Sequence, residues 1–118
     1  MKKQYGDDTP EYDRAYKQLM DANPLPKVPW TRIVDHIDHM VQVAGIDHVG
    51  IGSDFDGIGV TPEGMEDVSD LPKIRAELKR RGYSDRDVRK IMGENFMRVF
   101  AAAEQISRNL QKQSSGTE

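Results

Sequence analysis

The sequence of 118 residues contains no cysteine. This absence excludes a disulfide scaffold, a thiolate zinc site and a cysteine nucleophile. Long apolar runs are absent too, and no stretch approaches the roughly 18 consecutive apolar residues of a membrane span. Because no apolar run follows Lys2 and Lys3, we expect no signal peptide. Together these features favour a cytoplasmic protein without a membrane partner.

Neither sign of charge is in large excess. The chain has 17 Lys and Arg against 20 Asp and Glu, which gives a formal net charge of −3. No broad basic surface is therefore available, and nucleic acid is not an expected partner. With 36% hydrophobic and 31% charged residues, the composition is that of a soluble globular protein, and the length suits one small domain.

Helical patterns dominate the chain. Apolar residues recur at helical spacing over about 10–22, 31–44 and 69–81, then in a short segment from 84 and a longer one from 95. Thr9, Ser69 and Ser84 are suited to capping three of these helices, and Gly93 is expected to interrupt the fourth. We divide the chain into an N-terminal helix with a proline-rich linker (1–29), a main portion (30–112) and a frayed tail (113–118).

One segment, about 47–53, is predicted to be a strand. Val49 and Ile51 lie on one of its faces and two glycines on the other. A single strand needs neighbours for its backbone groups, so this order of elements is typical of the closing portion of a larger α/β protein. In a (β/α)8 barrel, Asp54 would stand at the C-terminal end of the strand, where such barrels build their active sites.

Asp54 also has simpler interpretations. The sequence Asp-Phe-Asp-Gly at 54–57 is typical of a turn, because aspartate bonds to nearby backbone and glycine tolerates positive φ. From spacing alone, the turn is favoured over a catalytic carboxylate. A calcium loop that starts at Asp54 would need a glutamate at its position 12, and that position is Met65. The pattern therefore argues against calcium.

The three histidines are weak metal candidates. His36 and His39 are spaced i, i+3 on the second predicted helix and could bind a metal as a pair. Polar groups on the flank of a helix are the more ordinary interpretation of both. His48 lies low in the predicted strand, away from the catalytic end, so we expect it to pack.

Several motifs closely resemble the bacterial branch of the membrane (renal) dipeptidase family. The resemblance covers about residues 24–100, and the segment before it is a weaker match. The segments that carry the resemblance are VDHIDHMVQVAGIDHVGIGSDFDG at 34–57, PEGMEDV at 62–68, RRGYS at 80–84 and GENFMRVF at 93–100.

The resemblance implies a C-terminal fragment of an α/β (β/α)8 TIM-barrel metal hydrolase that cleaves dipeptides with two zinc ions. By motif position, Asp54 would be the catalytic carboxylate that handles the proton of the attacking water and meets the substrate's amino group. Phe55, Asp56 and Gly57 would bind substrate beside it, under the loop 57–68. Asn95 would be structural, starting the last helix and tying it to the barrel.

The chain departs from the family in its metal ligands. These come from earlier strands of the barrel, and all three histidines of this chain match non-ligand positions. We therefore assign no metal ligand here and expect the isolated chain to be inactive without a missing N-terminal barrel portion or a second chain. The alternatives are a non-catalytic helical remnant that self-associates into a homo-oligomer, and another amidohydrolase-type barrel enzyme.

Overall fold

A computed structural model describes residues 9–115. Helices dominate this part of the chain, and a 3₁₀ turn precedes the third of them. Within residues 9–115 there are five α-helices: α1 (Pro10–Ala22), α2 (Thr31–Ala44), α3 (Leu71–Arg80), α4 (Asp85–Arg89) and α5 (Asn95–Ser115). The same part of the chain has 3₁₀ turns at Ile46–His48 and Val68–Asp70 and a π-helical segment at Lys90–Glu94. No helix within residues 9–115 has both the length and the apolar character needed to cross a membrane.

Local signals placed most helix ends correctly. The Thr9 hydroxyl accepts a hydrogen bond from Tyr12 N at 3.2 Å and caps α1, as predicted. Ser84 caps α4 in the same way, through Asp87 N at 3.1 Å. Gly45 has φ 89° and ends α2. Residues that satisfy helix ends act over three or four positions, so they can be recognised without tertiary information.

The predicted Ser69 cap is wrong. Asp67 precedes a 3₁₀ turn there, and its carboxylate accepts from Ser69 N at 2.7 Å. Asp70 reaches back to Glu66 N at 2.8 Å and Asp67 N at 3.4 Å, which completes a reciprocal capping box. A carboxylate satisfies these amide donors and also interacts favourably with the positive end of a helix, so it replaces the serine hydroxyl.

The predicted strand over 47–53 is also not observed. Ile46–His48 form a 3₁₀ turn, and residues 49–53 pair with no other segment of the described chain. The one β-bridge recorded between residues 9 and 115 joins Pro29 and Glu63. Val49 does have extended backbone angles, φ −114° and ψ 136°. A strand exists only through its partners, and this part of the chain supplies none for 49–53.

The structure describes the predicted N-terminal segment and the predicted tail only in part. Helix α5 continues through Ser115, beyond the start of the tail that we expected to be frayed from 113. The last residues of that tail, 116–118, lie outside the described part of the chain. Residues 1–8, which include the lysines used to exclude a signal peptide, lie outside it as well.

The hydrophobic core is small, and its side chains come from the part of the sequence between residues 30 and 95. Its buried apolar side chains come from α2, α3, α4, the π-helical segment and two loops; they are Val34, Ile37, Val49, Met65, Ile74, Leu78, Val88 and Ile91. Helix α1 buries none of its residues, and along α5 only Asn95 is buried among 95–114. The Cα radius of gyration is 21.1 Å, against roughly 13–14 Å for a compact domain of this length.

An ion cluster fastens α2 to α3. The Arg81 guanidinium contacts the carboxylates of Asp38 at 2.6 Å, Asp35 at 2.8 Å and Glu77 at 2.8 Å. The Tyr83 hydroxyl donates to Asp38 at 2.7 Å, and its burial, followed by this bond, raises the pKa of Tyr83 to about 12. Because one guanidinium bridges three carboxylates, this network fixes the spacing of the two helices.

Glu77 should make the stability of the chain depend on pH. Hydrogen bonds from Arg80 and then Arg81 lower the pKa of its carboxyl from 4.5 to about 2. The folded state therefore holds the ionised form, and this stabilisation is present above the unfolded pKa of 4.5 and lost as the pH falls towards 2. We expect Glu77→Gln to lower the free energy of unfolding at neutral pH and to have little effect near pH 2.

Urea unfolding across this pH range measures the effect. Glu104→Gln is the matched control, because Glu104 is paired with Arg108 on the exposed surface of α5 at 3.5 Å. Exposed pairs of this kind contribute at most about 1 kcal/mol. Equal losses for the two variants at neutral pH would contradict the assigned role of Glu77.

Candidate functional site

Asp54 occupies the first position of a tight turn. Its backbone carbonyl accepts hydrogen bonds from Gly57 N at 3.0 Å and Ile58 N at 3.1 Å. The turn predicted from the Asp-Phe-Asp-Gly sequence is thus present, but it is closed by the carbonyl of Asp54. The carboxylate is left exposed. The turn and a chemical role for Asp54 are therefore compatible.

Gly57 makes room for the Asp54 carboxylate. A Cβ atom on Gly57 would lie 2.3 Å from Asp54 Oδ1 and 2.8 Å from Oδ2. Such distances are far inside van der Waals contact, so any side chain at this position would displace the carboxylate. A side chain at position 57 would therefore require the exposed Asp54 carboxylate to move.

Asp54 lies at the edge of two cavities. One, of about 370 Å³, lies between α2 and the 50–58 segment. Its lining is largely apolar and includes Ile33, Ile37, Met40, Ile51, Phe55 and Ile58, with His36 and Asp54 as its ionisable groups. The other, of about 380 Å³, is lined by residues 53–56 together with Asp67 and Val68. A carboxylate at the rim of an apolar cavity can meet a ligand that has both apolar and cationic parts.

The four predicted site residues are brought together by this turn. Phe55 is half-buried and packs against the hydrophobic core, whereas Asp56 is exposed and faces the second cavity. Asp67 lines the same cavity. Sequence reasoning did not select Asp67, because its only local signal is that of a helix cap.

The loop after the turn is anchored at its far end. Trp30 N donates to Glu63 O at 3.0 Å and Glu63 N donates to Val28 O at 2.8 Å. Gly64, at φ 85°, lies so close to Trp30 that a Cβ would be 2.8 Å from the indole Cδ1. Lys73 Nζ donates to Gly64 O at 2.8 Å. The loop is thus fastened to the start of α2 and to α3.

The histidines do not assemble a metal site. His36 borders the first cavity and His39 is exposed on α2. His48 is exposed in the 3₁₀ turn, so the expectation that it packs is wrong for this chain. Within residues 9–115, no three His, Asp or Glu side chains are grouped so that they could hold an ion. Catalytic zinc needs about three protein ligands, so the donors of the described part do not fit a metal centre.

The family can be assigned from the sequence. Residues 22–114 match the sequence profile of the membrane dipeptidase family, peptidase family M19. The chain belongs to the membrane dipeptidase family. The resemblance carried by the motifs at 34–57, 62–68, 80–84 and 93–100 is therefore confirmed, and the relatives of the chain are hydrolases.

Two curated dipeptidases illustrate the relationship. Dipeptidase ataJ of Aspergillus terreus is 45% identical over 101 residues, and the match covers 86% of this chain and 24% of that protein. Dipeptidase verJ of Clonostachys rogersoniana is 41% identical over 81 residues, with 69% and 21% covered. This member of the membrane dipeptidase family thus spans about a quarter or less of the length of the relatives it matches.

Solved structures of the family agree with the described fold. A metallopeptidase from Rhodobacter sphaeroides, liganded with a phosphinate mimic of the dipeptide L-Ala-D-Ala, is 40% identical with a TM-score of 0.54. The superposition covers 59% of this chain and 20% of that one. Dipeptidase AC, an M19 metallopeptidase, is 38% identical with a TM-score of 0.55, with 64% and 22% covered. The membrane dipeptidase chain therefore shares local structure with metal-dependent peptidases.

Proposed function

We propose that this chain is the closing C-terminal portion of a (β/α)8-barrel dipeptidase, and that it supplies Asp54 to the hydrolysis of dipeptides. The observation that carries the proposal is the placement of Asp54. Its carboxylate is exposed at the edge of two cavities and lies above a glycine that leaves room for it. Similarity to named dipeptidases supplies the reaction class.

The chemistry assigned to Asp54 is that of an exposed carboxylate. It can accept the proton of an attacking water, and it can form an ion pair with the free amino group of a dipeptide. Phe55 and Asp56 form the adjoining rim, and the loop anchored by Trp30 borders the cavity through Met65. These residues would bind and orient the substrate.

Zinc is proposed for the intact enzyme only. The donors of the described part do not fit a metal centre, so we assign the ligands to polypeptide outside these 118 residues. The chain alone should bind no stoichiometric zinc and hydrolyse no dipeptide. Because 49–53 finds no backbone partner within residues 9–115, the same external polypeptide would supply the neighbouring barrel strands.

A chimaeric enzyme tests the proposal. The segment of the Aspergillus terreus dipeptidase that matches this chain is replaced by this chain, and the product is assayed on a panel of dipeptides that includes L-Ala-D-Ala. We expect dipeptide hydrolysis by the chimaera and none by the 118-residue chain alone. Zinc content is measured on both proteins.

The control is the same fungal dipeptidase truncated before the exchanged segment. It should be inactive, so that activity of the chimaera depends on this chain. A folded, metal-loaded chimaera that hydrolyses no member of the panel would contradict the proposed function. Activity on other amides but not on dipeptides would favour a different amidohydrolase-type reaction.

A non-catalytic role remains the second candidate, and one observation favours it. Apolar side chains on one stripe of α5 are exposed, namely Phe96, Val99, Phe100, Ile106 and Leu110. Such a stripe could be covered by copies of the same chain. Light scattering separates the two ideas: a stable monomer would count against a self-associating remnant.

A further inference from the structure

The side-chain amide of Asn95 is hydrogen-bonded within the protein through both its nitrogen and its oxygen. The residue is 4% exposed. Its Nδ2 donates to the backbone carbonyls of Ile46 at 2.7 Å and Val49 at 2.9 Å. Its Oδ1 accepts from Arg98 Nη1 at 3.0 Å. Both amide hydrogens and the amide oxygen thus have partners, and the two carbonyls belong to the segment that leads to Asp54.

Two neighbours of Asn95 hold the same segment. Arg98 Nη2 donates to the carbonyl of Asp47 at 2.6 Å, and the Lys90 ammonium pairs with the carboxylate of Asp47. Gly93, with φ 166° and ψ −25°, breaks the helical geometry between Lys90 and Asn95. Side chains on both sides of this break contact residues 46–49. We call Lys90, Asn95 and Arg98 the 46–49 clamp.

Apart from Ile51, which packs against the core, the segment between the clamp and Asp54 has little to fix its position. A Cβ on Gly50 or Gly52 would meet nothing within 4 Å. Residues 50–53 have no backbone partner within residues 9–115. In the barrel proposed above, 49–53 would be a glycine-rich strand, whose side chains specify register weakly, and a slip by one residue would turn every side chain to the opposite face. Such a slip would present Ser53 or Phe55 where Asp54 should stand.

We infer that Asn95 is a positioning residue for Asp54. Through the 46–49 clamp, it fixes the start of the segment and thereby its register, so that the carboxylate of Asp54 reaches the candidate site. The inference rests on the proposed function, and it extends a structural role for Asn95 to a role in turnover. It has one consequence in the geometry of the chain and another in the kinetics of the enzyme, and each can be measured.

The first experiment measures geometry in the 118-residue chain. Because the sequence has no cysteine, spin labels can be attached at Ser53→Cys and at Gln42→Cys, a position exposed on α2. We expect one narrow distance distribution. Asn95→Asp should shift or broaden it, because a carboxylate cannot donate to two carbonyls and Asn95 then no longer holds the start of the segment.

Asn109→Asp is the matched control, on the exposed surface of α5. Asn109 accepts from Gln105 Nε2 through its Oδ1, and an aspartate retains that acceptor, so the distance should stay as in the parent. An unchanged narrow distance in Asn95→Asp would overturn the inference. This outcome would leave the proposed function intact, since the measurement involves no activity.

The second experiment separates positioning from stability in the active chimaera. We expect Asn95→Asp to lower kcat by about 100-fold, as displaced catalytic groups do, with a much smaller change in KM. Each variant is assayed well below its own melting temperature, so that only folded enzyme is compared. A variant that melts earlier but retains the parental kcat would show a merely structural residue and overturn the inference.

A second variant tests the inference if Asn95→Asp does not fold. Arg98→Met leaves Asn95 in place but removes the hydrogen bonds that Arg98 donates to Asn95 Oδ1 and to Asp47 O. We therefore expect kcat to fall, but by less than in Asn95→Asp. A parental kcat in folded Arg98→Met would then count against the clamp. If the chimaera with native Asn95 is inactive, the proposed function fails instead, and the label distances alone decide whether Asn95 fixes the position of the segment.

Discussion

Asp54→Asn is expected to lower kcat of the chimaeric dipeptidase by a factor of about 10² to 10⁴, the usual contribution of a positioned acid–base group. The amide has nearly the same shape but can neither accept a proton at neutral pH nor form an ion pair with the amino group of a dipeptide. The backbone carbonyl that accepts from Gly57 N and Ile58 N is unchanged, so the turn should persist. Steady-state kinetics on a dipeptide measure the loss.

A matched control variant and a zinc measurement are needed to interpret a loss of activity in Asp54→Asn. Asp21→Asn is the matched control, because Asp21 is exposed on α1 and far from the turn in sequence, and it should retain parental activity. Zinc content should be the same in the parent and in Asp54→Asn, because we assign no metal ligand to this chain. Loss of zinc from Asp54→Asn would show that the carboxylate holds the metal and would contradict the proton-handling role.

The sequence predicted the helices because their signals are local. Thr9 and Pro10 begin α1, Ser84 begins α4, and Gly45 ends α2. Each of these residues acts on backbone groups within one helical turn. The predicted strand at 47–53 was wrong for the opposite reason. Its alternation of residue types is typical of a strand, but pairing depends on segments that this part of the chain does not contain.

The sequence could predict the candidate site only where its residues are consecutive in the chain. Asp54, Phe55, Asp56 and Gly57 are consecutive, so one motif placed them together. Contacts over long sequence distances gave no such signal: the Arg81 guanidinium meets Asp38 across 43 positions. Asn95 meets Val49 across 46 positions. Asn95 was expected to start the last helix and tie it to the barrel. In the structure it begins α5 and donates to the carbonyls of Ile46 and Val49, and these two carbonyls could not be named from the sequence.

Leu78→Ala is expected to destabilise the 118-residue chain by about 2 to 5 kcal/mol, the range found for leucines in packed cores. Leu78 is fully buried on α3 and packs in the one cluster of buried apolar residues described. Small domains are stable by only about 5 to 15 kcal/mol, so the variant should be largely unfolded at modest urea concentrations. Urea unfolding followed by far-ultraviolet circular dichroism measures the change.

Leu110→Ala is the matched control and also tests what α5 faces. Leu110 is 58% exposed in this chain, so its truncation should change stability by roughly 0.5 kcal/mol or less. Equal losses for the two variants would contradict the assigned core. In the chimaera, polypeptide outside this chain could cover the apolar stripe of α5. If the proposed barrel is correct and covers that stripe, Leu110→Ala should become costly there, while the cost of Leu78→Ala stays the same.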